Sequence, residues 1–287
     1  MKIGAFVPLS SFNATAQFLR TLGPALDERG FESVWVPEHV VLFDEYESRY
    51  PYALDGRFPG TGDTGLLEPL TALTYLAAVS DTVRLGTGIC LVSQRNPVYT
   101  ARQVADLDVL SGGRVELGVG VGWLKEEFDA LAMPFDHRGE RARDHIAVMR
   151  TLWADEVSAY EGKHYTLPEC RFYPKPVQQP GPPIHVGGET DAALRRVADV
   201  GQGWFGFNRL PDDVPEALER LDRILEERGR SRDDITVSIS PYFNQVGPAE
   251  IERYGELGVD RVIVTALAFD PDSLLTTLDG LAPLITA

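Results

Sequence analysis

Three short stretches of this chain hold residues able to do chemistry together. "SVWVPEH" ends on Glu38 and His39. A histidine at the end of a strand-like run can pass a proton to or from a substrate or orient a carbonyl, and reads equally as an imidazole bonded to loop backbone. "VGGETDAAL" sets Gly187, Gly188 and Glu189 ahead of a helix that opens on Thr190. A helix N-terminus exposes unpaired N–H groups and a positive dipole end, so this pattern fits either an anion site or a tight turn capped by Thr190 or Glu189. "SGGRVELGVGVGW" spaces Gly118, Gly120 and Gly122 by two and ends on Trp123. Alternation puts these glycines on one face of a strand, where a bare surface suits a flat ring or a close neighbour. The spacing is not the dinucleotide pattern G-x-G-x-x-G.

Such residues act together only on a scaffold that gathers the ends of several strands. Apolar runs at "KIGAFVPL", "SVWVPEH", "VRLGTGIC", "RVELGVGVG", "PPIHVGG", "GWFGF", "TVSISPYF" and "RVIVTAL" alternate with helical segments. The runs are continuously apolar, as in strands buried on both faces, and strand–helix alternation implies a parallel sheet. Eight such units in 287 residues predict an α/β fold of the (β/α)8 TIM-barrel type, a single domain over 1–287. Two segments exceed the minimum. A long loop after the second strand, residues 40–67, carries Phe43, Tyr46, Tyr50, Tyr52 and Phe58, and leaves from the face where barrel sites are built. An insertion before the fifth strand, about residues 155–181, contains a predicted hairpin around Glu161 and Gly162 and reads as structural. Strand ends also present Gly88 and Ile89, Val121, Phe207 and Tyr242, of which Phe207 and Tyr242, with Phe43 from the loop, are expected to form the substrate pocket. His185, inside a strand, reads as structural.

Composition sets outer limits. Asp and Glu number 43 against 27 Lys and Arg, a formal net charge of -16, which disfavours nucleic acid and anionic membranes as partners. A small phosphate-bearing cofactor stays compatible, because backbone N–H groups bind phosphate locally. No apolar run has the length of a membrane span, and "MKIGAFVPLS" lacks the features of a signal peptide, so the cytoplasm is expected. Two cysteines, Cys90 and Cys170, and five scattered histidines have no metal-ligand spacing, and no metal site is expected.

On "GFESVWVPEH", "VRLGTGI", "NPVYTARQVADLDVLSGGRVELGVGVGW", "FDHRGERARDHIAVMRTLW" and "PPIHVGG", nearly the whole chain resembles the luciferase-like monooxygenase superfamily, in particular its deazaflavin-dependent oxidoreductases that use coenzyme F420. The resemblance implies a cofactor ring at the C-terminal barrel mouth, backed by a non-prolyl cis peptide that matches Gly88-Ile89. It implies cofactor contacts at Val121, Gly122 and Trp123 and a phosphate site at Gly187 and Gly188, to which Glu189 and Thr190 adjoin. Glu38 and His39 match its acidic-histidine pair, with the histidine close to the reacting ring. Members that oxidise sugar phosphates look as though they carry a glutamate where this chain has Trp123, which speaks against a sugar phosphate here. The implied activity is hydride transfer between F420 and a small organic substrate. Alternatives are an FMN-dependent monooxygenase using reduced flavin and O2, and a non-catalytic flavin carrier. A homodimer is compatible with the resemblance.

Overall fold

A computed structural model describes residues 1–286. Eight strands close into a parallel barrel: β1 (Lys2–Phe6), β2 (Ser33–Val36), β3 (Arg84–Thr87), β4 (Val115–Val119), then, past an external hairpin of β5 (Ser158–Glu161) and β6 (Thr166–Cys170), β7 (Ile184–Gly187), β8 (Gly203–Phe207), β9 (Thr236–Tyr242) and β10 (Arg261–Thr265). Their order around the ring is β1-β10-β9-β8-β7-β4-β3-β2. The helices outside are α1 (Ala16–Arg29), α2 (Pro69–Ala77), α3 (Pro97–Leu110), α4 (Lys125–Ala130), α5 (Arg138–Ala154), α6 (Asp191–Val200), α7 (Val214–Glu226), α8 (Pro248–Glu256) and α9 (Pro271–Leu281). No described helix is long and apolar enough to cross a membrane.

Local chemistry explains the punctuation. Thr15 accepts from the Phe18 N–H to start α1, and Gly30, in the left-handed region, ends it. Asn96 caps α3 and Pro97 takes its first position, where a missing N–H costs nothing. All four residues of β2 are buried, as a strand between barrel interior and helix layer requires. The predicted hairpin is present: β5 and β6 pair antiparallel, and Tyr160 ties them to α5 through a 3.0 Å bond to Asp144. The "fifth strand" of the sequence is therefore β7.

The barrel interior has two layers. Phe6, Trp35, Phe205 and Ile263, from four strands, form an apolar cluster separate from the main core. A buried charge network adjoins it: His185 Nε2 lies 2.5 Å from Glu116, and Arg261 reaches Glu32 at 2.7 Å and covers the Trp35 ring. Burial alone would raise the Glu116 carboxyl, but the His185 bond and the charges of Arg261 and Arg84 hold it at about 2. His185 is thus spent on structure.

Candidate active site

The C-terminal ends of the strands surround a cavity of about 680 Å³, the size of a small-molecule site. His39, just past β2, lines it and is 8% exposed. Its Nδ1 lies 3.1 Å from Glu127 Oε2, and Glu127 is completely buried. A carboxylate only accepts, so Nδ1 carries the proton and Nε2 is the nitrogen free to exchange one. Among the described residues nothing bonds to Nε2.

The carboxylate beside His39 is Glu127, and not the adjacent Glu38. Glu38 turns away and is consumed by other partners: it accepts from the Leu91 N–H at 2.6 Å and from Arg95 Nε at 2.7 Å. Its role is to fix the chain after β3. Glu127 sits on α4, a six-residue helix that the sequence reading passes over as loop. The available signal is the apolar pair Leu124 and Phe128, four apart and both buried, which turns Glu127 inward.

The long loop covers the mouth from Arg49 onward, where Tyr50, Tyr52 and Phe58 line the cavity. Phe43 does not line it, contrary to expectation. Before Arg49 the chain is tied along α4: Glu127 accepts from the Val40 N–H at 2.5 Å, and Glu126 from the Glu47 N–H at 2.7 Å. Only after those anchors does the loop reach across. Trp123 stacks on Phe58 and meets His39 and Tyr50 edge-on, so it joins the loop aromatics to the imidazole. Phe207 and Tyr242 line the cavity from β8 and β9.

Glu189 latches the loop. Its Oε2 accepts from the Tyr52 hydroxyl at 2.9 Å and its Oε1 from the Phe207 N–H at 2.8 Å, so each oxygen already holds one partner. Burial pushes its carboxyl above 4.5, against those two bonds and the Arg209 charge, which pull it down. A carboxyl raised in the folded state binds its proton more tightly there than in the unfolded chain. Its contribution is full below about pH 4.5 and is lost as pH rises through the raised value. Thermal melts should therefore show the wild type losing stability relative to Glu189→Gln as pH climbs from 4.5 toward 7. Parallel pH curves for the two proteins would sink this account of the latch.

The glycine strand serves its protein neighbours first. A Cβ at Gly118 would fall on the Thr87 carbonyl oxygen, and one at Gly120 on Ile89 Cδ1. The Gly88-Ile89 peptide is cis, in agreement with the resemblance, and Ile89 lies in the space that Gly120 and Gly187 leave open. The bare face of β4 thus receives Ile89, and it is Ile89, with Val121, that presents an apolar surface to the cavity.

At the β4 and β7 side, the cavity ends on the start of α6 and two arginines. Gly188 has φ +110, a conformation that side chains rarely adopt, and Thr190 caps α6 by accepting from Ala193 N. Arg196, on the buried face of α6, is 8% exposed and has no hydrogen-bond or ion-pair partner among the described residues. Arg138 lines the same end, bonds only the Gly122 carbonyl, and stacks on Phe135. Neither arginine makes an ion pair with a carboxylate among the described residues, and both stand beside a helix N-terminus, an arrangement whose donors can take an anion. Sequence reading gave neither a role; the signal for Arg196 is its place on the same side as Ala193 and Val197 in "DAALRRVADV".

A family model described as luciferase-like monooxygenase matches residues 1–248. An uncharacterised protein of Mycobacterium tuberculosis is 31% identical over 248 residues, covering 86% of this chain and 84% of that protein. An F420-dependent glucose-6-phosphate dehydrogenase of Microbacterium testaceum is 30% identical over 222 residues, 76% of this chain and 61% of that enzyme. The crystal structure of monooxygenase RslO1 from Streptomyces bottropensis superposes with a TM-score of 0.78 at 21% identity, covering 100% of this chain and 99% of that one.

Proposed function

The chain belongs to the luciferase-like monooxygenase family, and from that premise we propose that it transfers a hydride between coenzyme F420 and a small, mostly apolar organic substrate at the barrel mouth. The observation that carries this reading is the buried, partnerless Arg196 beside Arg138 and the α6 N-terminus. It supports a phosphate at one end of a cavity whose other walls are mostly apolar and aromatic. The Arg196 side chain lines the cavity with no protein acceptor, so a bound anion would supply one.

The residues present fit the cofactor. Arg138, Arg196 and the amides around Gly188 would hold its phosphate, and Ile89 and Val121 would support its ring. When bound, the deazaflavin supplies a ring carbon that takes or gives the hydride. The chain supplies the rest. His39 Nε2 takes or returns the substrate proton, Glu127 holds the imidazole in one tautomer, and Trp123 with the loop aromatics excludes water.

FMN is the second reading, since the family is described as monooxygenases and FMN also carries a phosphate and a flat ring. Titration of the purified chain with F420, FMN and FAD separates the two. F420 is expected to bind at least tenfold more tightly, about 1.4 kcal/mol. Tighter FMN binding transfers the proposal to the flavin, and binding of none of the three removes it.

A further inference from the structure

The β5–β6 hairpin lies outside the barrel, yet its tip ends beside the arginines of the cavity. It leaves the C-terminal end of α5, where Ser158 Oγ donates to the Thr151 carbonyl at 3.2 Å, and runs back along that helix. Midway, the Tyr160 hydroxyl and the His164 N–H donate to the Asp144 carboxylate at 3.0 and 2.6 Å. At the tip, Lys163 Nζ donates to Glu140 Oε2 at 2.7 Å, and His164 Nε2 lies 3.1 Å from the same oxygen. From Thr151 to Glu140 is about 16 Å of helix, so the hairpin spans most of α5 to reach its first turn.

That turn carries one arginine and supports the other. Arg138 lines the cavity, and Gly139 leaves room for Arg196: a Cβ there would stand 3.0 Å from an Arg196 guanidinium nitrogen. The turn has little support of its own. Its N-cap, His137, has φ +57 and no side-chain cap among the described residues, where a Ser, Thr, Asp or Asn would normally hold the first amides. On the core side Arg141 ties it to the carbonyls of Ser93 and Asp136, at 2.9 and 3.1 Å. On the outer side Glu140 and Asp144, one turn apart, take their hydrogen bonds from the hairpin. His137 stacks its ring on that of His164, with centroids 6.0 Å apart.

We propose that the hairpin is a positioning element: Lys163 and His164, through Glu140, hold the first turn of α5 where Arg138 and Arg196 meet the phosphate of the cofactor. Lys163, His164 and Glu140 stand outside the cavity lining and act only through that turn. The role rests on the anion site of the cofactor reading, but not on F420 being its occupant. Position and plain charge predict opposite signs at Glu140. A carboxylate near an anion site repels the anion, so by charge alone Glu140→Gln would tighten binding. As part of the clamp it should weaken binding.

The test is calorimetric titration of F420 and of inorganic phosphate into the full chain at low ionic strength, where exposed ion pairs are least screened. Glu140→Gln is expected to weaken both ligands about fivefold, and Lys163→Met/His164→Gln by a similar factor. The triple variant should be no weaker than either, because all three residues act through one contact. Lys163→Arg should retain most of the affinity. The Glu140 and Lys163 side chains are 47% and 67% exposed, so the fold should survive these changes. A Glu140→Gln chain that binds phosphate as tightly as the wild type, or more tightly, overturns the proposal, and so do additive losses in the triple variant. If F420 fails to bind while phosphate affinity falls in the variants, the cofactor reading falls and the positioning role stands. If F420 binds and the variants hold it like the wild type, the reverse is true. A wild type that binds neither ligand removes both.

Discussion

His39→Ala is expected to lower turnover by about 10²–10⁴ while cofactor affinity changes by less than about threefold. The split follows from where the contacts lie. His39 stands after β2, whereas the proposed anion site would use α6, Gly188 and Arg138 on the far side of β3 and β4. Its Nδ1 is committed to Glu127 at 3.1 Å, so the exchangeable nitrogen is Nε2, and alanine removes it while Glu127 keeps the Val40 N–H. Added imidazole should return part of the lost rate. Glu127→Gln keeps the size and loses the charge that orients the ring, and should cost about 10–100-fold in kcat with little change in KM. A wild-type rate for His39→Ala would reduce the residue to a structural one. Loss of cofactor affinity in step with rate would make it a binding residue and move proton transfer to Tyr242.

Arg196→Met should move binding and stability in opposite directions. A charge-assisted bond to a phosphate is worth about 1.5–3 kcal/mol, so affinity for F420 should fall about 10–100-fold. The bare chain should nevertheless melt a few degrees higher. Burial pushes the Arg196 guanidinium down to about 10, and the charges of Arg143 and Arg138 add to that. A base whose folded value is lowered holds its proton less well in the fold than in the unfolded chain. The penalty is therefore present at every pH below about 10 and disappears only above the ordinary arginine value, so at neutral pH methionine removes it. Titration calorimetry and thermal melts of the same preparation check both signs. A lower melting temperature with unchanged affinity would mean that Arg196 serves the fold.

The barrel was legible because its signals are local. Each strand is a short apolar run, and caps such as Thr15 and Asn96-Pro97 mark helix starts. His39 and the Gly187-Gly188 pair were legible for the same reason, as residues at strand ends. Partner choice was not. Glu38 finds Arg95 fifty-seven positions away and Glu189 finds Tyr52 at a separation of 137, and nothing in their neighbours announces either pairing. A buried arginine on an amphipathic helix reads as a solvated charge until its surroundings are known, and a six-residue helix carries too few turns to show a period.

Glu126 and Glu127 pin residues 40–67 almost wholly through that segment's backbone: the N–H groups of Val40, Val41, Glu47 and Ser48 donate to them. A main-chain donor is the same whatever side chain stands beside it. Substitutions beyond these anchors, from Arg49 onward, can therefore reshape the roof of the pocket while its moorings persist, and the moorings themselves belong to α4. The segment is built like a cassette set on a fixed frame. For the protein engineer, it is the stretch to exchange between relatives when the aim is new selectivity on an unchanged catalytic frame.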